Sequence, residues 1–277
     1  MANDRLPKNK ERLDLLLVER GLYASRQIAQ RSIQAGLVKV GDRVIDKVGT
    51  PIPRDAEITV TAVSRFVSRG GDKLAKALAD FDIAVAGRVC LDGGISTGGF
   101  TDCLLQSGAK LVYGIDVGYG QVDWKIRSDD RTVIRERTNL RHLTSEELYK
   151  PTDIFPSLAV VDVSFISLSK VLPSLTQLLD RPAEAILLIK PQFEVGKELV
   201  GKNGVVRQPS AHVTAIKGTI DAAKALHWEV AGLTYSPITG PAGNIEYLLW
   251  LKTNLSDPID LDIGKIVNTA NEALQGN

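Results

Sequence analysis

The sequence predicts a doubly wound, mostly parallel α/β sheet with a small α+β module in front of it. Three observations carry this reading. From Asp72 onward, short apolar strands alternate with helical patterns, the order that parallel crossovers produce. Before Thr61 the order differs: two helical patterns are followed by residues of alternating polarity. A length of 277 residues, 44% hydrophobic and 24% charged, suits one large soluble domain with a smaller companion.

The front module is expected over residues 10–63. Leu13, Leu16 and Leu17 share a helical face that Gly21 terminates. Ser25 is placed to cap a second helix, whose apolar positions Ile28, Ala29 and Ile33 run up to Gly36. The period then becomes two at Val38, Val40 and Val44, with Gly41-Asp42 as the turn. Pro51 and Pro53 bound a loop, and Ile58-Thr59-Val60 closes the module as a strand. Residues 64–71, from Ser64 to the pair Gly70-Gly71, join two unlike periodicities and read as a linker.

The large domain is expected over residues 72–253. Leu74, Ala75 and Leu78 make Asp72 to Phe81 a helix; Val89-Cys90-Leu91 is a buried strand and Thr97 to Gly108 a helix. Leu111 to Ile115 is a strand, and Thr144-x-x-Glu147 is a capping box that opens a short helix. Leu158 to Val163 reads as strand, Leu168 to Leu179 as helix, Ala185 to Ile189 as strand and Ser210 to His227 as a long helix. Val230 to Tyr235 and Ile245 to Leu251 form a closing strand pair. Residues 254–277 are a polar tail with a helix from Ile263 to Leu274.

Composition excludes several classes. No run approaches the ~20 apolar residues of a membrane span, and Met1 to Leu17 lacks a signal-peptide core, so a cytoplasmic protein is expected. Cys90 and Cys103 form no CxxC, and His142, His212 and His227 are scattered, so no metal site is expected. Charge is uneven: residues 1–71 hold 13 Lys/Arg against 8 Asp/Glu, a local +5 in a chain whose total is +1. A basic front fits a module that grips a polyanion; the alternative is an ordinary solvated face. Arg26 and Arg31 share the second helix, flanked by Arg20, Lys39 and Arg43, which together can offer phosphates a cationic patch. Through Arg12-Leu13-Asp14, Ala24-Ser25-Arg26, Ile33-Gln34-Ala35-Gly36 and Val38-Lys39-Val40, this segment resembles the RNA-binding module named after ribosomal small-subunit protein four.

The sharpest local feature is Asp92-Gly93-Gly94-Ile95-Ser96-Thr97-Gly98-Gly99-Phe100, between a strand and a helix. Glycines there permit a tight turn and close backbone approach to a ligand. GxGxxG is absent, and no Lys-Ser/Thr follows Gly98, so neither a dinucleotide nor a nucleoside triphosphate is indicated. An acid-tipped strand before such a loop suits a ligand with a positive group and no phosphates. Asp116 ends the next strand, where a carboxylate can accept from both hydroxyls of a ribose. S-adenosylmethionine meets both conditions.

Four charged residues fall where this fold exposes them: Lys73 at a helix start, Asp162 and Lys190 at strand ends, and Glu246 entering the last strand. Any one of them can be a solvated strand end. Asp162 and Lys190 together favour function, because ligands of open α/β sheets bind beyond the carboxyl ends of the strands. Two lysines with two carboxylates suit methyl transfer to a ribose 2′-hydroxyl, where the donor is already electrophilic and the alcohol needs a base. A neutral lysine supplies that base, while carboxylates orient the amines.

The chain up to about Thr253 resembles the TlyA family, ribosomal RNA 2′-O-ribose methyltransferases also labelled haemolysins, whose Rossmann-like catalytic domain is similar to that of FtsJ. The blocks that carry the resemblance include Val67-Ser68-Arg69-Gly70-Gly71-x-Lys73-Leu74, Asp116-Val117-Gly118-Tyr119-Gly120-Gln121, Glu136-Arg137-Thr138-Asn139, Asp162-Val163-Ser164-Phe165-Ile166-Ser167, Lys190-Pro191-Gln192-Phe193-Glu194 and Gly243-Asn244-Ile245-Glu246, with the glycine loop through Asp102. The resemblance implies a catalytic tetrad of Lys73, Asp162, Lys190 and Glu246, with Lys190 as base. It implies donor binding by Gly94, Ser96, Thr97, Gly98, Gly99, Phe100, Asp116 and Asn139, to which the acid that tips the strand, Asp92, is added as an expected donor contact. It implies that the linker, with Arg65 and Arg69 as RNA contacts, couples RNA docking to catalysis, and that the substrates are cytidine riboses in the RNA of ribosomal subunits. Two departures stand out: Ile95 is expected to narrow the donor pocket, and Asp72 sets an extra carboxylate beside Lys73. Residues 196–204 are a flap over RNA or an ordinary surface loop. A non-catalytic RNA-binding assembly factor is the alternative reading. A membrane-lytic haemolysin is disfavoured by the lack of a spanning segment or a strongly basic amphipathic helix.

Overall fold

The computed structural model describes residues 9–34, 36–60, 65–255, 259 and 261–275. Ala35 of the front motif, Ser64 of the linker, part of the expected signal-free amino terminus and part of the tail lie outside the described residues. The chain forms two bodies, Met1–Ser64 and Arg65–Asn277.

The first body contains β1 (Lys10–Arg12), α1 (Leu13–Glu19), α2 (Arg26–Gln34), β2 (Val38–Val40), β3 (Arg43–Val44), β4 (Pro51–Pro53) and β5 (Ile58–Val60). Leu13, Leu16, Leu17, Ala29, Ile33, Val38 and Ile52 form its core, so the leucine face of α1 and the apolar face of α2 meet over the sheets. Strands β3, β2 and β5 make one antiparallel sheet. Pro51 and Pro53, expected to bound a loop, instead form β4, paired antiparallel with β1. The ladder tolerates them because its hydrogen bonds fall on the 9/54 and 13/50 pairs, where Arg54 donates to Asn9 and Leu13 to Thr50. Both proline nitrogens therefore occupy positions that face away from the partner strand.

The second body contains α3 (Gly70–Asp80), β6 (Val89–Gly93), α4 (Gly99–Gln106), β7 (Leu111–Ile115), α5 (Trp124–Arg127), β8 (Thr132–Arg135), α6 (Ser145–Leu148) and β9 (Leu158–Val161). It continues with α7 (Leu172–Leu178), β10 (Glu184–Ile189), α8 (Pro191–Glu194), α9 (Pro209–Lys224), β11 (Glu229–Tyr235), β12 (Tyr247–Lys252) and α10 (Ile263–Gln275). The strand order is β11-β12-β10-β9-β6-β7-β8, with β12 antiparallel to both neighbours and the rest parallel. Leu74, Ala77 and Leu104 of α3 and α4 cover one face of the sheet, while α7, α9 and α10 cover the other. The order reverses between β6 and β9, which opens the crevice where ligands of such sheets bind.

Three local departures have plain causes. The helix expected from Leu168 to Leu179 is a 3₁₀ turn, Leu168–Lys170, followed by α7, because Pro173 fits only the first turn of a new helix. Strand β9 ends at Val161 and β12 begins at Tyr247, so Asp162 and Glu246 stand just outside the ladders. From Arg65 on, the segment read as a linker belongs to the second body: Phe66 is buried and fills the space a side chain at Gly71 would need.

Candidate active site

Four elements bring the two lysines and two carboxylates together. Lys73 lies in the first turn of α3, Asp162 follows β9, Lys190 caps α8 after β10, and Glu246 precedes β12. Lys73 Nζ donates to Glu246 Oε2 at 2.5 Å, and Lys190 Nζ forms an ion pair with Asp162 Oδ1 at 2.6 Å. Lys190 Nζ also donates to Ser164 Oγ at 2.7 Å. Glu246 is only 1% exposed. Burial pushes its carboxyl above the usual range, the charges of Lys73 and Lys190 oppose the rise, and the Asp162 charge adds to it, so one field links all four groups. Buried ion pairs add little net stability, so this cluster is poorly explained as scaffolding.

Two cavities meet beside the cluster, sharing Gly94, Ser96 and Asp162. The larger, about 440 Å³, is lined by Asp116, Gln121, Asn139, Leu140 and Val163 among others. The smaller, about 200 Å³, contains Lys73, Thr97, Gly99, Phe100, Ser68 and Arg69. Gly94 has φ +89°, and a Cβ there would overlap the carbonyl oxygen of Asp162, so only glycine lets the loop lie against that backbone. Asp116 accepts backbone N–H bonds from Ser96 at 2.8 Å and Gly118 at 2.7 Å, which fixes its carboxylate at the cavity wall. Asn139 caps the 3₁₀ turn Leu140–His142 through Oδ1, which accepts from Arg141 N–H. A ribose against Asp116, an adenine near Asn139 and a cationic centre near Asp162 fit this arrangement.

Other residues singled out in the sequence have different positions. Asp92 lines neither cavity: it is fully buried beneath the loop, where Oδ2 accepts from the Thr101 hydroxyl at 2.6 Å. Burial pushes its carboxyl up to about 7. Gly98 lines neither cavity either; a Cβ there would come within 2.9 Å of Ile126, so its role is close packing. Ile95, expected to narrow the donor pocket, packs against Gly114 in β7 and only edges the smaller cavity. Asp72 stands beside Lys73 in the chain, but Lys73 turns to Glu246.

The cations expected on RNA divide into two groups. Arg26 donates to the buried Asp14 at 2.7 Å, and Arg20 donates to the carbonyls of Arg54 and Ala56, so both brace the first body. Arg31, Lys39 and Arg43 are exposed and carry no ion pair among the described residues. Arg65 lies over the Phe66 ring at 5.0 Å, and Arg69 edges the smaller cavity beside Lys73. Sequence reasoning assigned no role to Ser164, Gln121, Thr138 or Thr239, all at the site. For Ser164 the available signal was its place two residues after Asp162 in the stretch Asp162-Val163-Ser164-Phe165. Among the described residues no group of His, Cys, Asp and Glu could hold a metal ion.

The FtsJ-like methyltransferase family model matches residues 66–253, and the S4 domain model matches residues 11–58. The chain is 47% identical over 246 residues to the 16S/23S rRNA (cytidine-2′-O)-methyltransferase TlyA of Mycobacterium tuberculosis, covering 88% of this chain and 90% of that protein. It is 40% identical over 237 residues to Hemolysin A of Brachyspira hyodysenteriae, covering 86% and 98%. A solved structure from Streptococcus thermophilus, described as a hemolysin, is 40% identical with a TM-score of 0.74, covering 98% of this chain and 99% of that one. An S4 domain, a seven-stranded sheet of this order and a Lys–carboxylate cluster at its switch point converge with these likenesses: the chain belongs to the FtsJ-like methyltransferases of the TlyA family.

Proposed function

We propose that the protein transfers a methyl group to the 2′-hydroxyl of a cytidine ribose in ribosomal RNA, in the cytoplasm. The observation that carries this is the Lys190–Asp162 pair, 2.6 Å apart, with Asp162 lining both cavities and Lys73, paired with Glu246, lining the smaller one. The residues fit S-adenosylmethionine: Asp116 for its ribose, Asn139 for its adenine, Gly94 and Ser96 for close backbone approach, and Asp162 for a positive charge. When bound, it supplies a methyl group already activated on a sulfonium.

The protein's own task is to make the alcohol nucleophilic. Lys190, uncharged, takes the 2′-hydroxyl proton as the oxygen attacks, and Asp162 holds the amine in place and balances the ammonium that forms. Lys73 and Glu246 form the neighbouring pair, whose charges set the field at the site. Phe165 is 91% exposed with φ +64°, its ring 5.2 Å from Phe193, and offers a base drawn out of the RNA a surface to stack on. Arg31, Lys39 and Arg43 on the S4 domain give phosphate contacts that position without reading sequence. The protein's relatives include one named Hemolysin A, yet no helix of the described residues is long and apolar enough to cross a membrane.

The test uses ribosomal RNA lacking the modification, labelled donor and Lys190→Ala. The variant is expected to lose methyl transfer by about 10³-fold or more while RNA affinity stays within twofold. Wild-type protein that binds RNA but labels no 2′-oxygen would establish the assembly-factor alternative.

A further inference from the structure

Ser164 stands at the mouth of the larger cavity, in the loop after β9. It is exposed, and its one side-chain hydrogen bond among the described residues is with Lys190 Nζ, at 2.7 Å. The same nitrogen lies 2.6 Å from Asp162 Oδ1. A tetrahedral amine nitrogen has four directions. One is its bond to Cε, and Ser164 takes a second; the Asp162 Oδ1 contact is an ion pair without hydrogen-bond geometry.

We propose that Ser164 is a positioning residue for Lys190: its hydroxyl holds one N–H of the amine in a directed hydrogen bond, which the Asp162 ion pair does not supply, and so turns the nitrogen toward the ribose hydroxyl. This rests on the methyl-transfer reading above. Lysine has a long side chain with free rotation at its last bonds, and Asp162 alone leaves the nitrogen free to spin about that one contact. A directed hydrogen bond removes the freedom. A hydroxyl serves better than another carboxylate, since a further negative charge would favour the protonated amine, which cannot act as base. The Ser164 oxygen accepts from Lys190 and keeps its own O–H for water or the incoming nucleotide. In the reaction the proton passes from the 2′-oxygen to Lys190 Nζ, the oxygen's electron pair forms the new O–CH₃ bond, and the donor's C–S electrons return to sulfur.

Ser164→Ala and Ser164→Thr test this in the full-length protein with ribosomal RNA and labelled donor. Ser164→Ala is expected to lower kcat roughly 10- to 100-fold, as misplacement of a catalytic group does. Donor Kd and RNA KM should stay within twofold. Ser164→Thr, which keeps the hydroxyl, should restore most of the rate. The deficit should persist across the pH profile, since the defect is of direction. A kcat within twofold of wild type overturns the proposal; so does a deficit that vanishes at high pH, or a loss of donor affinity in step with rate. A turnover-free reading is the NMR order parameter of the Lys190 side-chain methylenes, expected to fall in Ser164→Ala; an unchanged value overturns the proposal. If wild-type protein methylates no 2′-oxygen, the functional reading fails by itself and the order parameter decides this inference alone.

Discussion

Asp14 in the S4 domain and Glu246 in the methyltransferase domain are both carboxylates sealed from solvent beside cations, and the chain holds them in opposite ways. Asp14 accepts from four donor atoms: Arg12 Nε at 3.0 Å and Nη2 at 3.2 Å, Arg26 Nε at 2.7 Å and Gln30 Nε2 at 2.9 Å. Burial pushes its carboxyl up, but these bonds outweigh burial and hold it well below the usual carboxylate range. Among the described residues Glu246 has one donor, Lys73, and there burial prevails and the carboxyl rises. A charge closed in by donors is spent on structure. One left partly unmet stays responsive to its neighbours, which is what proton transfer needs.

The largest effect expected from this contrast is at Asp14. Replacing it with Ala removes four charge-assisted hydrogen bonds, though Arg12 and Arg26 are partly exposed and can return to water, and should cost the S4 domain about 2–3 kcal/mol. Hydrogen exchange at Leu16 and Ile33 would report the loss, with donor affinity of the catalytic body unchanged. The pH sign follows from the lowered carboxyl: its contribution is complete above the ordinary value of 3.8 and is lost as pH falls through the lower folded value. Acid should therefore loosen wild-type S4 domain in a way that Asp14→Ala no longer shows. Equal protection in both proteins would break the comparison from this side.

Glu246→Gln sharpens it from the other. The amide keeps the shape and removes the charge that faces Lys73, in a position hemmed in by Gly240, where a Cβ would lie 2.6 Å from Glu246 Oε1. Methyl transfer should fall roughly 10- to 100-fold, and the melting temperature should fall by a few degrees as well, because buried Lys73 keeps only an amide oxygen in place of its carboxylate. A large drop in melting temperature with undiminished kcat would make Glu246 a second Asp14, a structural anchor.

Much of the candidate site was legible because charges that end apolar runs have few places to go in an open α/β sheet. Asp162 and Lys190 follow β9 and β10 directly, and the glycine loop follows β6. What escaped depends on direction more than position. Asp92 and Asp116 both stand at strand ends, but all five residues of β6 are buried, which leaves Asp92 facing the core, while backbone N–H groups turn Asp116 toward the cavity. Arg26 and Arg31 share α2, yet only a folded module shows that Arg26 turns back onto Asp14. Strand β8 was missed because Thr132–Arg135 has four residues, none of them buried, at the sheet's edge.

Asp92 extends the series to its limit and gives the smallest prediction. It is as sealed as Asp14 and Glu246, but among the described residues it meets no cation, only Thr101. Burial carries it up to about 7, with the Asp162 and Asp116 charges adding to the rise and Thr101 opposing it. The raised value reverses the sign seen at Asp14. Above about 3.8 the unfolded chain releases the proton, whereas the folded protein holds it until about pH 7, so stability should decline as pH climbs through that window. Asn at this position mimics the protonated acid, accepting from Thr101 without a charge to bury. Asp92→Asn should therefore show a flatter dependence of melting temperature on pH between about 5 and 8 than wild type, by a few degrees at most. Parallel profiles would mean that Asp92 is ionised in the fold with a partner beyond Thr101, and that the number of donors around a buried carboxylate does not govern its charge in this protein.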